Sequence, residues 1–600
     1  MNSNTVRIGG ASGFWGDSDV ALPQLLTESL DYIVFDYLAE ITMSIMAMQR
    51  ARDPNAGYAR DFVTNIAANL GQIAAKGVTI ISNAGGVNPE GCAAALRDAI
   101  AQAGFDLTVG VVTGDNLMGQ LDHIRAEEMF TGEAFPVPST IASANAYLGA
   151  FPIAACLAGG ADIVVTGRCV DSAVTLGALI HEFGWQSTDL DLLAQGSLAG
   201  HINECGTQVT GGNFTDWRDQ SFADIGYPIM ECEADGSFVA TKVANTGGRV
   251  TRATVGEQML YEIGDPAAYY LPDVVCDFTD VGIEEIGENR VRVTGARGAG
   301  VPTHYKASLT YDDGYKLSAL FFMIGEDAAE KVHVFCEAAL ERTKRRLAAT
   351  NLGDFTEVHI ELMGGESHYG DFADVTEPRE LTFKIAVRHP DAKACSLLLK
   401  EATGLALSAP PGLALYTGGR PKPQKVTRLF SILIDKEKVS PCLIVPAVGE
   451  DAKYVNERLV GFPKVHSEPI KLFRASPPPA PEGPTITAVP LHALAWVRSG
   501  DKGDKSNIGV MARDPDYLPW IWAALTEDAI TKRFAHFSPS SVERFHLPGT
   551  ASMNILLHAI LGGGGMASLR NDSQGKAYGQ ILSAMPIPIP DSIAKTLDMD

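Results

Sequence analysis

The chain has no C-x-x-C pair, no apolar run of membrane-spanning length and no surplus of positive charge. Each absence removes a class of function. The nine cysteines are scattered from Cys92 to Cys442, which excludes the paired spacing of a zinc ribbon, an iron–sulfur cluster or a thioredoxin-like site. Thiols so dispersed read as small buried hydrophobes in a reducing compartment. No stretch reaches the ~18 apolar residues of a transmembrane helix. The opening "MNSNTVRIGGASGF" lacks the basic and apolar regions of a signal peptide. A cytoplasmic protein with no membrane partner is expected. Lysine and arginine total 48 against 72 aspartates and glutamates, a formal net charge of -24. That field repels nucleic acid, so none is expected as a partner. An anionic ligand needs a local positive pocket set against it.

What is present suggests an α/β fold. In the first 190 residues, "VRIGGAS", "DYIVFDYL", "GVTIISNAGG", "LTVGVVTGDN" and "ADIVVTGRC" read as five strands. Between them run amphipathic helices such as "DFVTNIAANLGQIAAKG" and "PEGCAAALRDAIAQAG", the second with Asn88 as N-cap and Pro89 at its first position. Such alternation predicts a parallel sheet covered on both faces, open or closed into a barrel. The N-terminal domain is assigned to residues 5–474, as a parallel α/β unit over 5–200 and an α+β elaboration over 201–474. In the latter, "GTQVTGGNF", "SFVATKVAN", "RVRVTGARG" and "YKASLTYDDGYKLSALFFMI" read as strands and turns, and "EDAAEKVHVFCEAALERTKRRLAAT" as a helix. "ASPPPAPEGPT", residues 475–485, is a semi-rigid linker. The tail, 486–600, reads as strand ("LHALAWVRSG"), strand ("NIGVMAR"), helix ("YLPWIWAALTEDAITKRFAHF"), helix ("TASMNILLHAIL"), the glycine run Gly562–Gly565 and a last strand near "KAYGQILSAM".

Polar, glycine-bearing segments follow each strand of the first unit, where loops and helix N-termini of parallel folds converge on ligands. Gly10, Ser12 and Gly13, with Asn83, Gly85 and Gly86, are candidates to cradle an anionic group, though the glycine spacing is not G-x-G-x-x-G. Asp36 and Glu40 in "FDYLAE" suit a general acid and base, or a divalent cation shared with Asp115. Arg168 in "TGRCVDS" suits a carboxylate or phosphate anchor, or a partner for Asp171 or Asp36. Cys169 becomes a nucleophile only with a base nearby, for which His201 is the candidate. His201 and Glu204 form a His-x-x-Glu pair for proton transfer. No third and fourth ligand follow at a recognisable spacing, so no metal site is assigned. Arg420 and Lys422 in "TGGRPKP" read as a surface loop. "RSGDKGDKSNIG", residues 498–509, fits neither a calcium hand nor Walker A. It still offers Arg498, Lys502 and Lys505 to an anion, with Arg570 and Lys576 of "SLRNDSQGK" as a second basic cluster.

Together "RIGGASGFWGDS", "FDYLAE", "SNAGGVNP", "TGRCVDSA", "GHINECG", "YEIGDP", "GGRPKP", "RSGDKGDKSNIGV" and "LRNDSQGK" resemble the AtuA family of acyclic terpene utilisation proteins, over nearly the whole chain. The resemblance implies a ferredoxin-like fold for the tail and a link to the catabolism of citronellol and geraniol through branched acyl-CoA thioesters. It carries over no catalytic residues. The expectation is an enzyme acting on a small anionic acyl substrate, a hydratase or carbon–carbon lyase on a CoA thioester. Two alternatives stand beside it: a non-catalytic acyl-CoA-binding or scaffold subunit, and a metal-dependent lyase. No cofactor is named by the sequence, and a homo-oligomer is expected on size alone.

Overall fold

The computed structural model of the chain describes residues 5–218, 220–415, 419–446, 454–458, 470–485, 487–565 and 567–597. Its central feature is an open sheet of eleven strands. The first four in the chain are β1 (Thr5–Gly10), β2 (Tyr32–Phe35), β3 (Thr79–Ser82) and β4 (Val109–Thr113). They are followed by β5 (Ile141–Ala146), β6 (Ile163–Thr166), β7 (Pro228–Glu233) and β8 (Phe238–Lys242). At the middle, β1, β2, β3, β6 and β4 lie side by side and parallel. These are the five strands expected from the alternation of apolar runs and helices. β2 and β6 are buried at every position, because separate apolar cores cover the two sheet faces. On one flank β7, β8, Arg290–Thr294 and Gly282–Gly287 extend the sheet antiparallel, and on the other Cys442–Pro446 and Tyr454–Arg458 do so.

Helix Pro89–Ala103 starts as its sequence demands. The Asn88 side chain accepts from the Gly91 N–H, Pro89 opens the first turn, and Gly104 closes it in the left-handed region at φ 76°. β5 was absent from the sequence reading, and it leaves the large sheet. It pairs with the 21-residue strand His304–Ile324, the spine of a second sheet that also holds Glu357–Met363 and Glu380–His389. "GTQVTGGNF" is no strand; a short 3-10 turn, Gly206–Gln208, occupies it.

The tail has a four-stranded antiparallel sheet ordered Ala495–Lys502, Lys505–Ala512, Ser552–His558, Ser541–Leu547. Two expectations are corrected here. "TASMNILLHAIL" carries the strand Ser552–His558 and "KAYGQILSAM" the helix Tyr578–Ser583. The strand is buried at six of its seven positions, since one face packs on the tail's own core and the other on the N-terminal domain. An apolar run covered on both faces has no alternation to distinguish it from a helix. The long predicted helix is two, Leu518–Ala524 and Glu527–Arg533, and Leu491–Leu494 is one helical turn before its strand. Among the described residues, no helix is long and apolar enough to cross a membrane.

Candidate active site at the strand ends

The carboxyl ends of the parallel strands converge. Beyond β1, Ser12 Oγ donates to the Asp36 carbonyl at 3.0 Å. Beyond β3, Asn83 accepts from the Tyr37 N–H at 2.8 Å and donates to Asp36 Oδ1 at 2.5 Å, fixing the carboxyl that follows β2. Beyond β4, Asp115 accepts from the Arg168 N–H at 2.9 Å and from Asn145 at 2.7 Å. Arg168, beyond β6, donates from Nη1 to Asp171 at 2.8 Å and to the Cys169 carbonyl at 3.0 Å. Its guanidinium lies 4.1 Å from the centre of the Tyr147 ring.

Tyr147 and Lys306 come together because β5 pairs with the long strand, Ala146 opposite Ala307, and the Tyr147 N–H bonds the Lys306 carbonyl at 2.9 Å. The Tyr147 hydroxyl donates to Glu40, the first residue of helix Glu40–Arg52, where a carboxylate also meets the favourable end of the helix dipole. Lys306 Nζ stands 3.5 Å from the same carboxylate and 4.8 Å from the Tyr147 ring centre. His201, 1% exposed, sets Nδ1 3.0 Å from Glu204 Oε1.

The tail reaches this cluster. "RSGDKGDKSNIG" is a β-hairpin with Lys502 paired to Lys505 and Gly503 and Asp504 in its turn. Asp504 accepts from the N–H groups of Leu561 and Gly563 at 3.1 and 2.9 Å, so the glycine run is tied to the hairpin. A Cβ on Gly564 would meet the Gly503 carbonyl at 2.1 Å, and one on Gly565 would touch Ile41 at 3.7 Å. Only glycines at positive φ let the turn seat beside Glu40. Lys576 then donates to Glu262 at 2.7 Å, to Asp501 at 2.9 Å and to the Tyr261 hydroxyl. Lys502 Nζ lies 3.9 Å from the other Glu262 oxygen.

These ionisable groups act on one another across both domains. Asp36 is raised well above the ordinary carboxyl value by burial and by the charges of Asp171 and Glu204, which outweigh Asn83 and Arg168. Burial also raises Glu204, against the pull of His201. Asp115 and Asp501 are each pushed up to about 6, chiefly by burial. Glu40 goes the other way. Burial is outweighed there by Lys306, Arg168 and the Tyr147 hydrogen bond, which hold the carboxylate well below its usual range. Burial lowers Lys502, but Tyr269, Glu262, Asp171 and Glu204 reverse the shift. The Glu40, Lys306 and Lys502 side chains remain 31, 36 and 40% exposed, and neighbouring groups outweigh burial at each of them. Glu40, with Asn145, Tyr147, Arg168 and Ser308, lines a hollow whose enclosed volume is about 10 Å³.

Asp36, Glu40, Arg168, His201, Glu204, Asp115 and Lys502 thus belong to one neighbourhood. Other candidates do not act as expected. A Cβ on Gly10 would meet Asn203 Oδ1 at 2.5 Å, one on Gly85 the Thr166 carbonyl at 2.5 Å, and one on Gly86 Met46 Sδ at 2.2 Å. These glycines make room for protein, not ligand. The Gly13 N–H is taken by Asp17 at 3.0 Å, and Ser12 spends its hydroxyl on Asp36. Lys505 turns away to the Phe130 ring, 4.4 Å from its centre. Arg570 donates into the tail, to the carbonyls of Ile560 and Phe537 and the Tyr578 hydroxyl. The Cys169 thiol is 1% exposed and pushed by burial up to about 12, so it supplies no thiolate. Arg420 and Lys422 are exposed, while Thr417 and Gly418 of that motif lie outside the described residues. Sequence reading missed Tyr147, Lys306, Glu262 and Tyr269. Glu262 stands in "YEIGDP" and Lys306 in the strand segment "YKASLTYDDGYKLSALFFMI", neither with a local signal of its role. Among the described residues, no group of three or more His, Cys, Asp or Glu is arranged to hold a metal ion.

No curated protein and no solved structure matches the chain. Two family models do. That of the AtuA ferredoxin-like domain covers residues 489–588, the four-stranded tail sheet that carries Asp501 and Lys502. That of the acyclic terpene utilisation family protein AtuA covers residues 6–444, including every strand end that builds the hollow. The chain belongs to the acyclic terpene utilisation family AtuA.

Proposed function

We propose that the hollow is the catalytic site of an enzyme acting by proton transfer on an acyl substrate that carries an anionic group. The reading extends to a lyase, a hydratase or carbon–carbon lyase, with a branched or terpenoid acyl-CoA thioester as the substrate class in keeping with the family. One observation supports it above the rest: neighbouring carboxyls have their proton affinities driven apart. Glu40 stays ionised and, holding protons too weakly to act as a base, suits a fixed negative charge, while Asp36 and Glu204 keep protons to higher pH and suit the groups that exchange one. Proton abstraction beside a thioester builds charge on its carbonyl oxygen, which the cations of the hollow stabilise where it develops. His201 backs Glu204 and sets its orientation.

The test is turnover of branched enoyl- and hydroxyacyl-CoA esters by the purified full chain, with Glu40→Gln and Glu204→Gln compared. Loss of turnover in both supports the acid–base reading; unchanged turnover in either overturns that residue's role. Saturable binding of acyl-CoA with no turnover would instead favour the accessory subunit.

A further inference from the structure

We propose that Lys306 and Lys502, one ammonium from each domain, form a binding site for a small oxyanion, a carboxylate or a phosphate, held across the seam between the N-terminal unit and the tail. The site deepens the reading above, on which it rests, by naming what grips the anionic part of the substrate.

An ammonium carries three N–H groups and no acceptor, and a charge-assisted bond to carboxylate closes to about 2.7–2.9 Å. Lys576 has spent its donors on Glu262 at 2.7 Å, Asp501 at 2.9 Å and the Tyr261 hydroxyl. Lys306 and Lys502 have not. Their nearest carboxylate oxygens stand at 3.5 and 3.9 Å, and neither donates a hydrogen bond to a described residue. The acids beside them are already engaged, Glu40 by the Tyr147 hydroxyl and Glu262 by Lys576. Arg168, the anchor favoured by sequence, has Nη1 committed to Asp171 and the Cys169 carbonyl and is 4% exposed. The two lysines, 36 and 40% exposed, are reached by solvent with donors to spare, whereas Lys576, also 40% exposed, has spent its own.

The glycine run brings the lysines to one seam: a Cβ on Gly564 would meet the carbonyl of Gly503, next to Lys502, and one on Gly565 would touch Ile41, next to the Glu40 that Lys306 faces at 3.5 Å. Lys502 disfavours the charge on Lys306, but the acids around both lysines outweigh that repulsion and keep both charged. An oxyanion therefore binds by closing to donor distance on ammoniums whose own acids stand at 3.5 and 3.9 Å. Because each lysine belongs to a different domain, the bound anion also ties the tail to the strand ends. Lys505 provides the internal control, being directly opposite Lys502 in the hairpin yet stacked on Phe130.

The experiment titrates the full chain with malonate and with inorganic phosphate, against sodium chloride at matched ionic strength, by calorimetry and thermal unfolding. A saturable rise in Tm with either oxyanion is expected, and the tighter of the two identifies the group. Lys306→Ala and Lys502→Ala should each weaken binding about tenfold or more. Lys502→Arg should retain most of it and guards against misfolding as the cause, and Lys505→Ala should leave it unchanged. A rise no greater than that of chloride, or an equal loss in Lys505→Ala, would overturn the proposal. The two readings fail separately. Malonate bound by a wild-type protein that turns nothing over removes the acid–base reading alone; turnover without malonate or phosphate binding removes this one. Glu204→Gln that binds malonate but has lost turnover supports both.

Discussion

Two of the polar seams between the tail and the N-terminal domain are built from the same residue types and left in opposite states. At one, Glu361 and Lys384, 4 and 6% exposed, form an ion pair on the second sheet. The Asn571 N–H donates to both Glu361 oxygens at 3.1 and 3.0 Å, and Lys384 donates to Asn571 Oδ1 at 2.7 Å. Every charge there has its partner. At the other, Lys306 and Lys502 stand open to solvent beside carboxyls already taken. A closed network fixes register and orientation, whereas an open one leaves capacity for a ligand. The first seam is one of several contacts that hold the tail against the N-terminal domain, with Arg513 on Asp216 and Asn554 on the Ile263 and Gly264 carbonyls among the others.

The largest effect should come from opening the closed seam. Glu361→Ala leaves Lys384 buried and unpaired, which should lower unfolding stability by about 3–5 kcal/mol, read by chemical denaturation. Replacing both, Glu361→Leu with Lys384→Met, should cost less than the single change. Equal losses would mean that the ion pair does not hold this seam. Next, Arg168→Ala should reduce turnover of the acyl substrate by about a hundredfold, because Tyr147 and Asp171 lose the group that orders them. A purely structural role would instead lower Tm and leave kcat of the folded fraction alone.

The pH dependence should separate the seams by sign. Glu361 is held down to about 2, since burial is outweighed by His359, Lys384 and Asn571. Its stabilisation is present above the unfolded value of about 4.3 and is lost as pH falls toward 2. Glu257, packed near Arg498 of the tail, is raised by burial to about 7. The folded state keeps that proton where the unfolded chain releases it, so this contribution grows as pH falls from 8 to 5 and vanishes as pH rises through 7. Glu257→Gln should therefore flatten stability between pH 5 and 8 by about 1–3 kcal/mol, measured by denaturation across that range. An unchanged slope would remove Glu257 as its source. Smallest of all, Lys505→Ala should alter stability by no more than about 0.5 kcal/mol, checked by the same denaturation.

Local features were legible wherever one element carries its own reason. The five parallel strands announce themselves by apolar runs between helices, and Asn88–Pro89 marks a helix start through its own side chain and ring. Asp36, Glu40 and Arg168 could be named because the residue after a buried parallel strand must emerge at the same edge. The tail defeated that reasoning at Ser552–His558. There Asn554 donates to the Ile263 and Gly264 carbonyls, and its neighbour Asn507 to the Leu260 carbonyl. These buried amides serve a partner surface from another domain, so no local period announces them. Gly500 and Gly509 have the same explanation. A Cβ on Gly509 would sit 2.4 Å from Leu260 Cβ, and one on Gly500 2.5 Å from Glu262 Cγ.

The sequence by itself determined the five parallel strands, the helix start at Asn88–Pro89 and the polar residues at the strand ends, because backbone period and capping act within a few residues, while the choice of an open sheet over a barrel and its antiparallel flanks came from the tertiary structure. Only the tertiary structure decided which of those groups keep a proton and which lysines keep hydrogen-bond donors unspent. Those properties depend on what stands within a few ångströms, and residues 40, 147, 306 and 502 become neighbours only when β5 pairs with the second sheet and the glycine run, packed on the tail hairpin, reaches Ile41.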